Sequence, residues 1–212
     1  PGQADYLQAT KGGGHGDYRC LVLAPWSVQE AADLMRDAFD LADHYRNPVL
    51  LLCDGVTGQI MEPVEFGEER PPCRPLPPKD WATTGWNGDR PRAVINSLFL
   101  DPQRLQAHND RLQAKFARIA RDEIRCAEPE TVEPVDLLLV AYGTSARVAT
   151  TARERLAARG IRSALCRPIS LFPFPERAVA TAAAQAKAVL VVEMSAGQML
   201  EDVRLAVGDR RP

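Results

Sequence analysis

The chain has 212 residues, 45% of them hydrophobic and 25% charged, with a formal net charge of -2. That balance excludes a basic nucleic-acid surface, and apolar runs such as 135–141 fall far short of the roughly 20 residues a membrane span needs. A soluble globular protein of one large or two ordinary domains is expected.

The first informative segment is Lys11 to Arg19, a glycine cluster holding His15 and Asp17 between cations. Such a run is poor core material, but it suits a backbone that approaches a ligand or partner chain closely. Behind it, residues 20–24 are apolar and predict a strand. A helix follows from 27 to about 45, with Ser27 as N-cap and Glu30 completing a capping box. Val28, Ala31, Ala32, Met35, Phe39 and Ala42 recur at helical spacing and are expected to form its buried stripe. Asn47-Pro48 stops the helix, and 49–53, apolar throughout, reads as a central parallel strand covered on both faces. Asp54-Gly55 leaves that strand at its carboxyl edge, where α/β sheets place ligands and where Asp-Gly equally makes a turn.

Between 66 and 92 the character changes. Pro71, Pro72, Pro75, Pro77 and Pro78 exclude helix and central strand, and Asn87-Gly88-Asp89 is turn chemistry. Trp81 and Trp86 imply that this crossover packs against a surface. Asp101-Pro102 then opens a long helix with Leu105, His108, Leu112, Phe116, Ile119 and Ile124 on one edge. From 135, strands over 135–141, 161–166 and 188–192 alternate with helices over 145–159, 175–186 and from 197. This alternation predicts a parallel sheet with right-handed crossovers. Thr144 or Ser145 is the expected N-cap of the first of these helices, although Gly143-Thr144-Ser145 also presents N–H groups that an anion would take.

Cys20, Cys53, Cys73, Cys126 and Cys166 contain no Cys-x-x-Cys pair, and three lie in apolar strand-like runs. The pattern disfavours a zinc or iron–sulfur site in this chain, so no metal ligand is assigned, and it fits a reducing cytoplasm. The chain begins at Pro1 without a methionine and stops at Pro212 directly after a helix, and it reads as an internal piece of a longer protein.

Taken in order, several segments carry a family resemblance. They are 3–19 (QADYLQATKGGGHGDYR), 23–30 (LAPWSVQE), 46–49 (RNPV), 54–63 (DGVTGQIMEP), 140–147 (VAYGTSAR), 167–175 (RPISLFPFP) and 192–204 (VEMSAGQMLEDVR). Together they resemble the α subunit of 2-oxoacid:ferredoxin oxidoreductases, most closely the branched-chain (2-oxoisovalerate) type. The resemblance is collinear and covers essentially the whole chain. It implies an α/β fold with two parallel-sheet domains. Residues 1–65 would be the C-terminal part of a thiamine pyrimidine-binding domain, 66–134 a Pro-rich crossover and long helix, and 135–212 a transketolase C-terminal-like domain, incomplete at its end.

The family implies an enzyme that oxidatively decarboxylates a branched-chain 2-oxoacid to its acyl-CoA, with thiamine diphosphate as electron sink. It implies Mg²⁺ and a diphosphate site shared with a β subunit, iron–sulfur clusters on a partner subunit, ferredoxin as electron acceptor and coenzyme A as co-substrate. The family's catalytic glutamate and a substrate-side arginine would lie upstream of Pro1. Within the chain, His15 is the candidate auxiliary proton or hydrogen-bond donor. Gln3, Asp5 and Gly14 are candidates for cofactor contact, and Lys11, Asp17, Arg19 and Asp54 for substrate or subunit contact. Each has a plain structural alternative: a glycine turn capped by His15, an Asx turn at Gln3 or Asp5, solvated or salt-bridged cations, and a strand-exit turn at Asp54. Glu193-Met194-Ser195 is expected at a domain interface. The alternatives for function are a member specific for pyruvate or 2-oxoglutarate, or a non-catalytic assembly module of such a complex.

Overall fold

Residues 2–67, 70–127 and 133–208 are described in a computed structural model of the chain. The elements are α1 (Tyr6–Lys11), a 3₁₀ turn (Gly12–Gly14), β1 (Leu21–Leu23), α2 (Val28–Tyr45), β2 (Val49–Leu51) and α3 (Pro102–Asp122). Then come β3 (Cys126–Ala127), β4 (Val135–Ala141), α4 (Gly143–Ala157), β5 (Ser163–Pro168), β6 (Ser170–Phe172), α5 (Glu176–Ala184), β7 (Ala186–Val192) and α6 (Gln198–Val207).

The strands form two sheets, ordered β2-β1-β6 and β3-β5-β4-β7. β1 with β2, and β4 with both β5 and β7, run parallel as the β-α alternation requires. The all-parallel expectation fails at two short strands: β3 runs antiparallel to β5, and β6 antiparallel to β1. The cause lies at Ile169, where β5 passes almost directly into β6 and the chain changes sheets. Ile169 donates to the Arg125 carbonyl at 3.0 Å and accepts from the Ala24 N–H at 2.7 Å. Pro168, which has no N–H, closes the strand on one side of this crossing. One hydrophobic cluster therefore runs through both sheets, from Tyr6, Val22 and Ala24 to Val140, Leu171 and Met199.

In α2 the Ser27 hydroxyl accepts the Glu30 N–H at 3.1 Å, as a cap should. The reciprocal half of the capping box is redirected, because the Glu30 carboxylate takes the Trp26 N–H at 2.9 Å. The buried face also differs from expectation. Leu34, Ala38, Leu41 and Tyr45 are buried, whereas Met35 is exposed and Phe39 is 70% exposed. Both sets recur at helical spacing, so periodicity alone does not say which side meets the sheet. Leu21 and Leu23 of β1 and Phe116 and Ile119 of α3 pack on the Leu34–Leu41–Tyr45 side.

β2 was expected to be central, yet among the described residues it is the edge of its sheet, with Leu50 exposed. Between β2 and α3 the described residues form no helix or strand, as the prolines require. The two tryptophans divide in role. Trp81 lies under the Arg46 guanidinium at 4.4 Å, against the end of α2. Trp86 stays half-exposed and closes its own turn, donating to the Arg90 carbonyl at 2.7 Å.

Asp101 caps α3 by accepting the Arg104 N–H at 2.7 Å, and Pro102 opens the first turn. Only the end of this helix is buried. There Glu123 accepts from the Tyr45 hydroxyl at 2.7 Å and from Arg74 Nε at 2.8 Å. Burial, then Glu123, push the Tyr45 phenol up to about 12.

The orientation of α2 is testable. Leu41→Ala removes a fully buried side chain and should cost about 2–5 kcal/mol in urea unfolding. Phe39→Ala should change stability by no more than about 0.5 kcal/mol. The reverse ranking would mean that the predicted stripe, not the observed one, faces the core.

Candidate functional site

Three strand exits converge on Gln3, a buried residue in the left-handed region at φ 57°. Its amide Nε2 donates to the Tyr142 carbonyl beyond β4 at 3.0 Å and approaches Asp54 Oδ2 beyond β2 at 3.5 Å. Its Oε1 accepts from Ser145 Oγ at 3.0 Å and from the Met194 N–H beyond β7 at 3.1 Å. A glutamine can donate and accept at once, so one side chain serves all three exits.

Asp54 accepts more hydrogen bonds than its turn alone explains. Oδ1 takes the Thr57 N–H at 2.9 Å, the Thr57 hydroxyl at 3.1 Å and the Thr144 hydroxyl at 2.7 Å. Oδ2 takes the Thr144 N–H at 2.9 Å. The start of α4 is thus capped by a carboxylate 90 residues away, and its own N-cap, Tyr142, makes no side-chain cap. Neither Thr144 nor Ser145 is the N-cap residue. The anion that the Gly143-Thr144-Ser145 N–H groups would attract is supplied from within the chain. Gly143, at φ 55°, is required here, because a Cβ would fall 2.8 Å from Asp54 Oδ2 and 3.0 Å from Gln3 Nε2. Burial alone would push the Asp54 carboxyl up, but the hydrogen bonds from Thr57 and Thr144 outweigh it and hold it below the ordinary carboxylate value.

The same device recurs at α6. The Glu193 carboxylate accepts the Met199 N–H at 3.0 Å and the Leu200 N–H at 3.1 Å. α1 is sewn to α6 beside it: Gln198 Oε1 accepts the Leu7 N–H at 2.9 Å, and Gln198 Nε2 donates to the Ala4 carbonyl at 2.8 Å. Asp202 accepts from the Tyr6 hydroxyl at 2.6 Å and pairs with Lys11 at 2.7 Å. Burial and the neighbouring Asp202 push the Tyr6 phenol far above its usual range. Arg167, also buried, grips Glu30 with both terminal nitrogens at 2.9 Å and lies 4.3 Å over the Trp26 ring.

A cleft of about 600 Å³ opens next to α1, its lining including Lys11, Gly14, Gly16 and Arg19 as well as Phe172, Pro173 and Arg177. The predicted site residues thus separate into two groups and a remainder. Gln3 and Asp54 meet in the strand-end clamp. Lys11, Gly14 and Arg19 share the cleft. Asp5, His15 and Asp17 lie exposed. His15 caps the glycine turn through its backbone, donating N–H to the Gly12 carbonyl at 3.1 Å, and not through its imidazole.

Among the described residues, Asp37, Asp40 and Cys73 cluster closely enough to hold a metal ion. Their donors are engaged by Arg70 and Arg125 on Asp37, and by the Cys73 N–H on Asp40 at 2.8 Å. No buried side-chain nitrogen or oxygen among the described residues lacks a hydrogen-bond partner. Sequence reading missed Tyr6, Thr57, Gln198, Asp202 and the Glu30–Arg167 pair. Apart from the local turn between Asp54 and Thr57, their partners lie up to 196 residues away, and spacing along the chain carries no trace of them.

Residues 1–94 match the family described as pyruvate flavodoxin/ferredoxin oxidoreductase, thiamine diP-binding. Residues 135–212 match pyruvate:ferredoxin oxidoreductase core domain II. The chain is 48% identical over 210 residues to ketoisovalerate oxidoreductase subunit VorB of Methanothermobacter thermautotrophicus, covering 99% of this chain and 58% of that protein. The chain belongs to the 2-oxoacid:ferredoxin oxidoreductase family. Another relative, 2-oxoglutarate synthase subunit KorA of Archaeoglobus fulgidus, is 34% identical over 209 residues, covering 96% of this chain and 58% of that subunit. The solved 2-oxoglutarate:ferredoxin oxidoreductase from Magnetococcus marinus superposes with a TM-score of 0.73 at 21% identity, covering 99% of this chain and 41% of that one. That superposition shows a shared fold. The α/β architecture expected from the sequence is the one this oxidoreductase family uses, and the chain spans 58% of the length of the VorB relative it matches.

The clamp gives a prediction with a definite pH sign. Asp54→Ala leaves the Thr57 and Thr144 donors without their acceptor and should cost about 2–4 kcal/mol in urea unfolding at neutral pH. Because the folded carboxyl is held low, its contribution is complete above the ordinary carboxylate pKa of about 4 and is lost as pH falls through the depressed folded value. Asp54→Asn should therefore flatten the acid limb of the stability curve. An acid limb unchanged in that variant would show that Asp54 carries no such linkage.

Proposed function

We propose that this chain is the core of an α subunit in a thiamine-diphosphate-dependent complex that oxidatively decarboxylates branched-chain 2-oxoacids. Its products are the acyl-CoA, CO₂ and electrons, which leave one at a time to ferredoxin. The observation that carries this reading is the collinear 48% identity to a ketoisovalerate oxidoreductase subunit along 99% of the chain, against 34% to a 2-oxoglutarate synthase subunit. In this reading 1–65 is the end of the pyrimidine-binding domain, 66–134 the crossover and 135–212 the transketolase C-terminal-like domain.

When bound, thiamine diphosphate supplies the electron sink that makes loss of CO₂ from a 2-oxoacid accessible. The described residues do not by themselves make a thiamine site. Gln3 and Asp54, the best-placed candidates, have their polar atoms engaged within the chain, and no buried donor set stands waiting. Mg²⁺, the diphosphate site and the iron–sulfur clusters are accordingly assigned to the β and iron–sulfur subunits, and the carboxylate that activates the cofactor to residues outside this chain.

What the chain contributes is a rigid wall and an anion-facing loop. Lys11 is paired with Asp202, whereas among the described residues the Arg19 guanidinium donates to the Tyr18 carbonyl at 2.9 Å and meets no carboxylate. Arg19 is therefore the residue to orient a 2-oxoacid carboxylate or a coenzyme A phosphate, with the exposed His15 four residues earlier to meet substrate or a partner subunit. The second reading, a non-catalytic assembly module, is favoured by the same full engagement of buried polar groups.

The two readings separate in the assembled complex, assayed for CoA-dependent reduction of ferredoxin or a viologen. Turnover that requires thiamine diphosphate and favours 2-oxoisovalerate over pyruvate and 2-oxoglutarate is expected. An intact complex with thiamine bound and no turnover on any 2-oxoacid would leave only the assembly module. In the active complex, Arg19→Ala should raise the KM for the 2-oxoacid or coenzyme A about tenfold, the worth of one charge-assisted hydrogen bond, without lowering Tm.

A further inference from the structure

We propose that Cys126 and Cys166 form a redox-modifiable dithiol, closing to an intramolecular disulfide under peroxide and reopening with thiol. Their sulfurs lie 3.5 Å apart. The register explains the proximity. Cys126 of β3 stands opposite Pro168 of the antiparallel β5, and Cys166 is two residues back along β5. Residues two apart on a strand share a face, so the two thiols are diagonal neighbours on one side of the sheet. A disulfide needs a sulfur separation near 2.05 Å, a closing of about 1.5 Å that calls for a shift of the two-residue edge strand β3 toward β5 along with rotation of the side chains.

The two thiols differ in access, which sets the order of events. Cys126 is half-buried and Cys166 fully buried. Cys126 is therefore the sulfur that meets oxidant. Its thiolate attacks the O–O bond of hydrogen peroxide, forming a sulfenic acid and releasing hydroxide, which takes up the thiol proton as water. The Cys166 sulfur then attacks the sulfenic sulfur: an S–S bond forms, the S–O bond breaks and a second water leaves with the Cys166 proton. Burial of Cys166 shields it from oxidant but not from its neighbour. Cys20, Cys53 and Cys73 have no such pairing register, so oxidation of any of them, the exposed Cys53 included, closes no cross-link of this kind.

Closure would fasten a strap that already joins α2 to the β5–β6 crossing. Arg125, next to Cys126, pairs with Asp37 of α2 at 2.5 Å, and its carbonyl accepts from Ile169 and Ser170 at 3.0 Å each. The bridge spans 40 residues, a loop long enough for the cross-link to restrict the unfolded chain appreciably.

The test uses the protein in its native assembly, treated with hydrogen peroxide, quenched in acid and alkylated after denaturation. Peptide mapping should recover the segments holding Cys126 and Cys166 joined, lighter by two hydrogens than their sum. Tm should rise by several degrees relative to the reduced protein, and excess dithiothreitol should reverse both changes. Cys166→Ser should leave Cys126 as a sulfenic or mixed-disulfide species with no rise in Tm, whereas Cys53→Ser should leave the cross-link intact. Recovery of both cysteines alkylated after peroxide, or of Cys126 over-oxidised to the sulfinic acid with Cys166 still alkylatable, would overturn the proposal.

Discussion

The carboxylate of Asp54 seated on the first turn of α4 is the contact on which the rest of the arrangement depends. It leaves the end of a strand in one sheet and satisfies the open N–H and hydroxyl of a helix that begins in the other. Electrostatically it places a negative charge at the positive end of a helix dipole, where the charge is favoured most. Sterically it demands that residue 143 be glycine, because no side chain fits between the carboxylate and the helix start. Remove either requirement and Gln3 loses the frame that lets one amide serve three strand exits.

Around this clamp the two sheets are joined in ways that repeat its logic. Glu193 does for α6 what Asp54 does for α4, but from six and seven residues back, at the exit of β7, and not from the other sheet. Glu30 leaves its capping duty half done in order to hold Arg167, which brings a buried guanidinium across to Trp26. Buried charges of this kind are tolerated because each is paired and hydrogen-bonded, and removing one partner would leave the other stranded. The chain from 163 to 172 adds a covalent link, since it belongs to one sheet before Ile169 and to the other after it.

These constraints leave two kinds of surface on the chain. The polar groups at the strand ends face one another, not an open cavity, so that end of the molecule is a fitted joint. The glycine loop beside it is different. Its backbone visits left-handed conformations at Gly12, Gly13, Gly14 and Gly16, and His15 and Asp17 lie exposed on it.

Much was legible in the sequence. The β-α alternation, the caps at Ser27 and Asp101, the proline-barred crossover and the family were all written in local order, because capping, backbone restriction and periodicity act within a few residues. The same locality explains the failures. Helical spacing described two apolar stripes on α2 equally well, and only the packing of β1 and α3 against Leu41 and Tyr45 chose between them. Asp54 read as a ligand-side residue or a strand-exit turn and Thr144 as a cap, because a local reading offers each only partners nearby in the chain. Tertiary structure decided that Asp54 caps a helix 90 residues on and that Tyr6 meets Asp202 across 196. Hydrogen bonds and charge pairs of that range depend on where the fold returns the chain, and no periodicity in the sequence encodes it.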